Sequence, residues 1–308
     1  MNPSETAALG ERLEAVRGRL AGAARIAGRK PEDVRLIAVS KLHPVEAILA
    51  AYGFGQRVFG ENYVQEALAK QEALPDLDVE WHCIGHVQTN KAKDVTGRFA
   101  LIHTVDNLKF AETLARRLPE DIPVQRVLLQ VNIGNEPQKA GVDEHDLPAL
   151  AEAVLALPRL EVRGLMCLPP FFDDGEAARP YFARLRELRD DLEARLGIKL
   201  PELSMGMSGD CVQAVEEGAT LVRVGAGIFG PRPVKSWGRE KRVGGGRETF
   251  CRRGERPHVS PSSSNLPERL APPLSSSKTF DWWGGCAAEV RSGVGRVRIA
   301  RIKVHNVT

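Results

Sequence analysis

The chain has 308 residues, 43% of them hydrophobic, and its 43 Lys and Arg against 40 Asp and Glu give a net charge of +3. That composition supplies apolar surface for one large domain or two, and no run of 18 uncharged apolar residues occurs, so no membrane span is expected. The charge is uneven: residues 235–308 carry 15 basic and 6 acidic side chains, which leaves 28 and 34 in residues 1–234, a body without the basic stripe that a nucleic-acid backbone requires.

The N-terminal MNPSETAALGERLEAVRGRL mixes charge with Ala and Leu rather than building a signal peptide, which makes the cytoplasm the expected compartment. The five cysteines (Cys83, Cys167, Cys211, Cys251, Cys286) are odd in number, far apart and without a CxxC pair, and are expected to be reduced thiols. Leu9, Leu13, Val16 and Leu20 recur at helical spacing over residues 4–28, with Gly28 a fitting stop, so an amphipathic helix is expected beside the body.

Next comes VRLIAVSKLHP, Val34 to Pro44. Five of the six residues from Val34 to Val39 are apolar and a His-Pro turn follows, the pattern of a buried strand that delivers Lys41 at its end. A solvated lysine at the start of a loop is the plain reading. The chemical one is Schiff-base formation, because a desolvated amine is the better nucleophile toward a carbonyl.

From Val34 onward strand-like and helix-like segments alternate. Strands are expected at Val34–Ser40, Arg57–Gly60, Val79–Gly85, Leu101–Val105, Val124–Asn132, Leu160–Leu168, Glu202–Met205 and Leu221–Gly225. Helices are expected between them at Pro44–Tyr52, Tyr63–Ala73, Thr89–Thr96, Asn107–Arg117, Glu144–Leu157, Glu176–Leu196 and Gly209–Glu217. Eight such units with strands too apolar to face water predict an α/β fold, a (β/α)8 TIM-type barrel over residues 1–234, with a doubly wound sheet as the alternative. Residues 235–308 hold nine Gly, nine Ser and five Pro with no sustained apolar period, and are read as a disordered basic appendage outside the fold.

Strand ends collect polar groups: Ser40-Lys41, Gly60-Glu61-Asn62, His82 with Gly85-His86, Asn132, Met166, Ser204–Ser208 and Arg223–Gly225. SMGMSGD after strand seven and VGAGIFG after strand eight read as an anion cradle, since free backbone N–H groups and glycines at these two strand ends commonly hold phosphate in barrels. Arg223 falls inside the last apolar strand, where it needs an acceptor; a salt bridge with Glu61 is one reading and an uncharged ring nitrogen the other. Thr89 is expected to cap a helix, with Asn90 and Lys91 at the mouth of the site, and Lys139 to be solvated.

A strand-end amine, a phosphate cradle and a partner for a pyridine nitrogen make up the parts of a pyridoxal 5′-phosphate (PLP) site. VSKLHP, FGENYVQEA, WHCIGHVQTNK, VNIGNEPQKAG, GLMCLPP, LSMGMSGD and VRVGAGIFGPR, in that order, closely resemble the pyridoxal phosphate homeostasis protein family, the YggS/PROSC group. The resemblance covers residues 5 to 233. It implies a PLP fold type III barrel like the N-terminal domain of alanine racemase, with Lys41 holding PLP as an internal aldimine. It further implies contacts from Asn62, from Ser208 and the backbone of Gly225 and Ala226 to the phosphate, and from Arg223 to the pyridine nitrogen. Where the family reads GTAIFG this chain has GAGIFG, so Ala226 lacks a hydroxyl that would donate to phosphate. The implied role is PLP carriage within cellular PLP homeostasis, with apo PLP-dependent enzymes as recipients. No turnover is expected, because racemisation needs a second acid or base from a β-domain and residues 235–308 do not read as one, and without that domain's dimer interface a monomer is expected. A PLP-dependent amino-acid racemase is the alternative, and a metal-dependent barrel hydrolase built on His82, His86 and His103 a second one.

Overall fold

A computed structural model describes residues 1–134, 136 and 139–231; the appendage read from sequence at 235–308, with Cys251 and Cys286, lies outside the described residues. The first element is helix α1, Pro3–Ile26, opened by a capping box: Asn2 Oδ1 accepts from the Glu5 N–H and Glu5 Oε2 from the Asn2 N–H, each at 2.8 Å. It ends where Gly28 turns left-handed at φ +68°, which places the stop where glycine was expected to supply it. Leu9, Leu13, Val16 and Leu20 are buried, so the stripe faces the body as anticipated.

Eight parallel strands then close into a barrel in chain order: β1 (Arg35–Val39), β2 (Val58–Glu61), β3 (Glu80–Cys83), β4 (Leu101–Val105), β5 (Gln125–Val131), β6 (Leu160–Cys167), β7 (Glu202–Ser204) and β8 (Leu221–Val224). Closure is made by β1 against β8, with Ile37 opposite Arg223 and Ala38 opposite Val224. The doubly wound alternative falls, because an open sheet leaves its first and last strands apart. Ile37, Leu101, Leu128, Met166 and Leu221 fill the interior, and alternation from Leu221 turns Arg223 to that same side. A larger core lies between the strands and the outer helices, which include α2 (Val45–Gly53), α3 (Val64–Ala73), α4 (Ala92–Val95), α5 (Leu108–Arg117), α6 (Leu147–Leu155), α7 (Arg179–Leu196), α8 (Cys211–Glu216) and α9 (Ala226–Phe229). Among the described residues no helix is long and apolar enough to cross a membrane.

The strands stop one or two residues inside several of the expected limits, and three helices are shorter for identifiable reasons. The segment expected as one helix over Thr89–Thr96 is a 3-10 turn, Thr89–Lys91, followed by the single turn α4, and Thr89 lies inside the turn without capping it. Helix α6 begins at Leu147 rather than Glu144, with Pro148 in its first turn, where a missing N–H costs nothing. Helix α8 begins at Cys211 rather than Gly209, because the Asp210 carboxylate accepts from the Met207 N–H at 2.6 Å and closes a separate turn first. Cys83, Cys167 and Cys211 are buried free thiols.

Candidate functional site

Strand β1 ends at Val39, and the chain then turns sharply with Leu42 left-handed at φ +65°, a conformation unfavourable for a γ-branched side chain. Its neighbours hold this turn from below. The Ser40 hydroxyl donates to Glu61 Oε1 at 2.6 Å, the Lys70 ammonium donates to the Ser40 carbonyl, to Glu61 and to Glu66 at 2.7 Å each, and Glu66 accepts from the Leu42 N–H at 2.6 Å. Glu61 and Lys70 are buried, and burial raises the Glu61 carboxyl above its ordinary range against the opposing pull of Lys70. Lys41 is therefore presented by a clamped turn. Sequence reasoning missed Glu66 and Lys70, although their i, i+4 spacing on a helix beginning just past Glu61 was the available signal.

Lys41 lines a cavity of about 460 Å³ at the C-terminal mouth of the barrel, shared with Asn62, Ser208, Arg223, Gly225 and Ala226. All six residues singled out from the sequence meet there, although they come from β1, β2, β7 and β8 and the loops that follow. Apolar Val39, Ile84, Leu168, Pro170 and Phe172 form much of the remaining wall, with Phe171, 85% exposed, at its rim.

Three features of the cavity ask for a ligand. Asn62 Oδ1 is buried and has no hydrogen-bond partner, a costly state unless something in the cavity satisfies it. Asn62 is held by a close approach: a Cβ on Gly85 would fall 2.1 Å from the Asn62 carbonyl, so only glycine lets the two loops meet. Ser208 Oγ accepts from the Gly227 N–H at 3.3 Å, which leaves the hydroxyl proton available to an anion. Arg223 is 4% exposed; Nη1 donates to Ser204 Oγ at 2.5 Å and Nη2 to the Cys167 carbonyl at 2.9 Å. Burial lowers its pKa, yet a guanidinium remains a donor only, so whatever it meets in the cavity must be an acceptor.

Of the two readings for Arg223, the salt bridge with Glu61 is overturned, since Glu61 pairs with Lys70 of α3 instead. Other expectations also move. Asn90 lies against a separate surface depression with Lys93, Lys109 and Arg116, and Lys91 stands 3.8 Å from Asp94; neither lines the cavity. Lys139, expected in solvent, is half-buried and donates to the Pro169 carbonyl at 2.8 Å, tying the loop after β5 to the loop after β6. Asn132 accepts from the Glu136 N–H and donates to its carbonyl, a loop-closing role. His82 and His103 bond to one another inside the barrel, while His86 is exposed and faces Asp106 at 3.7 Å, so the three histidines do not converge. Among the described residues no group of three or more His, Cys, Asp and Glu side chains is arranged to hold a metal ion.

Comparison with known proteins agrees with this architecture. The family model described as alanine racemase, N-terminal domain, matches residues 12–233. The pyridoxal phosphate homeostasis protein of Aquifex aeolicus is 47% identical over 222 residues, which span 72% of this chain and 97% of that protein. The structure of PipY of Synechococcus elongatus with PLP bound is similar at a TM-score of 0.64 and 42% identity, covering 72% of this chain and all of the other. Alanine racemase of Corynebacterium glutamicum, at 20% identity and a TM-score of 0.54, shares the fold over 74% of this chain and 63% of its own.

Proposed function

Because the chain belongs to the pyridoxal phosphate homeostasis protein family, built on the alanine racemase N-terminal domain fold, we propose that it binds PLP in the cavity at the mouth of its barrel and acts as a PLP carrier in cytoplasmic PLP homeostasis. One observation carries this reading: Lys41, Asn62, Ser208, Arg223, Gly225 and Ala226 line a single cavity with an orphaned Asn62 oxygen in its wall. When bound, PLP supplies an aldehyde that condenses reversibly with an amine. Lys41 is the amine within the cavity, presented by a turn that Glu61, Glu66 and Lys70 hold in place. Ser208 donates its free hydroxyl proton to the phosphate, with the Gly225 and Ala226 backbone beside it. Arg223 donates to the pyridine nitrogen and so selects its unprotonated form, which weakens the ring as an electron sink. Reduction with borohydride followed by peptide mass mapping tests the assignment; the adduct is expected on Lys41, and an adduct elsewhere refutes it.

Carriage without turnover is supported by where the tyrosines stand. A racemase needs a second acid or base on the opposite face of the cofactor. Tyr52 packs under Arg57 with 3.7 Å between guanidinium and ring centroid, Tyr63 is 54% exposed, and Tyr181 sits behind Phe172; none lines the cavity. Asp210, which does line it, spends a carboxylate oxygen on the Met207 N–H. Incubation of the PLP-loaded protein with L- or D-alanine is expected to give no interconversion above the protein-free rate, and measurable turnover by chiral chromatography overturns this part of the reading. Recipients are apo PLP-dependent enzymes, and the carrier is a monomer.

Ala226 makes a quantitative case. A hydroxyl donating to a charged phosphate contributes about 1.5–3 kcal/mol, so Ala226→Thr is expected to tighten PLP binding by about tenfold or more. Equilibrium titration of the visible absorbance measures this, and unchanged affinity would mean that the backbone and Ser208 already saturate that oxygen.

A further inference from the structure

One line of polar side chains, half-exposed at Arg35 and Glu80 and buried from His82 onward, lies below the cavity. At the N-terminal end of the barrel the Glu80 carboxylate meets His82 Nε2 at 2.8 Å and Arg35 Nη1 at 3.1 Å, and Glu202 lies 3.5 Å from Arg35 Nη2. His82 Nδ1 is 2.9 Å from His103 Nε2, and His103 Nδ1 is 2.8 Å from Ser204 Oγ, the same oxygen that accepts from Arg223. His82, His103 and Ser204 have no exposed surface. Side chains of β3, β4, β7 and β8 thus form an unbroken line through the barrel interior, from its lower end to the wall of the cavity.

We propose that Glu80, His82, His103 and Ser204 form a one-directional hydrogen-bond relay that sets the orientation of Arg223 in the cavity. The proposal rests on the reading of Arg223 as the guanidinium that faces the PLP ring. The direction follows from a proton inventory. Arg223 can only donate, so Ser204 Oγ accepts from it. At the far end the hydrogen bond from His82, reinforced by Arg35, holds the Glu80 carboxyl down at about 2, so Glu80 can only accept and His82 carries a proton on Nε2. Burial disfavours a second proton on either ring, most strongly on His103. Neutral His82 then offers Nδ1 as an acceptor, His103 donates to it from Nε2, and His103 Nδ1 accepts from the Ser204 hydroxyl. Each donor meets one acceptor, and each bond polarises the next. An imidazolium at His82 would reverse the middle of the line and leave the Ser204 hydroxyl proton without an acceptor, in a core where unpaired polar groups are costly. His82, His103 and Ser204 are therefore positioning residues.

Two measurements test this. Long-range proton–nitrogen correlation spectra of the protein with labelled histidine, recorded with and without PLP, are expected to show His82 and His103 neutral and protonated on Nε2 from about pH 6 to pH 9, well clear of carboxylate titration. A ring protonated on Nδ1, or an imidazolium at either position, overturns the relay whether or not PLP binds. Loss of PLP uptake with both tautomers as assigned would instead refute the functional reading alone. The second measurement compares His103→Phe, which leaves Ser204 without an acceptor, with His103→Asn, whose side-chain oxygen occupies the place of Nδ1. Phe is expected to weaken PLP binding about tenfold and to shift the pH dependence of the visible band, with Asn restoring both toward the parent values. Equal losses of thermal stability from both variants, with the pH dependence of the band unchanged, would mean that His103 only fills space.

Discussion

Lys41→Ala is expected to abolish the visible absorption band that forms when PLP is added, while leaving the fold intact. The size of the first effect follows from chemistry: without the ε-amine no covalent bond to the aldehyde is expected at this site, and on the proposed reading only the contacts from Ser208, the Gly225 and Ala226 backbone and Arg223 remain to PLP. The second follows from position. Lys41 is half-buried at a strand end, outside the packed core, and truncating such a side chain changes stability by within about 0.5 kcal/mol. Absorbance titration and thermal melting of parent and variant measure the two separately. A surviving band would relocate the reactive amine, and an unfolded variant would show that Lys41 supports the turn rather than being carried by it.

Lys70→Ala is expected to cost far more. Lys70 and Glu61 are 2.7 Å apart with side chains 6% and 0% exposed, and the second Glu61 oxygen already lacks a partner. Removing the ammonium strands a buried carboxylate, for which about 3–5 kcal/mol is typical. The pH dependence has a defined sign. Burial raises the folded-state pKa of Glu61, so the penalty on its ionised form is absent below the unfolded value and grows as pH rises through the folded one. Without Lys70 that pKa rises further. The deficit of the variant relative to the parent, measured by denaturant titration, should therefore be largest at neutral pH and shrink on acidification. A deficit independent of pH would mean that Lys70 acts through packing alone.

These two lysines show where sequence could be read and where it could not. Lys41 was legible because an apolar run announced β1 and a charge two residues past its end broke the pattern. Arg223 was legible for the same reason, being a charge in the middle of LVRVG, and the eight-unit rhythm fixed which end of the barrel both would share. Partnership was not legible. Glu61 stands on the strand beside β1, which made Arg223 on the strand at its other side a reasonable partner, but α3 swings Lys70 over the strand end and claims the carboxylate first. His82, His103 and Ser204 illustrate the same limit: single-residue chemistry marked the histidines as metal candidates, whereas the hydroxyl that meets His103, that of Ser204, lies 101 residues further along the chain. Helix starts were misplaced where a side chain such as Asp210 satisfies a local turn before the helix can begin.

The left-handed Leu42 has a consequence for exchange. A non-glycine residue held there stores on the order of 1–3 kcal/mol, and the Glu66 and Lys70 contacts that keep it so are internal to the protein. Docking and departure of a guest are therefore expected not to wind or unwind the segment bearing the amine, so that the passenger's residence time depends on its own contacts in the cavity.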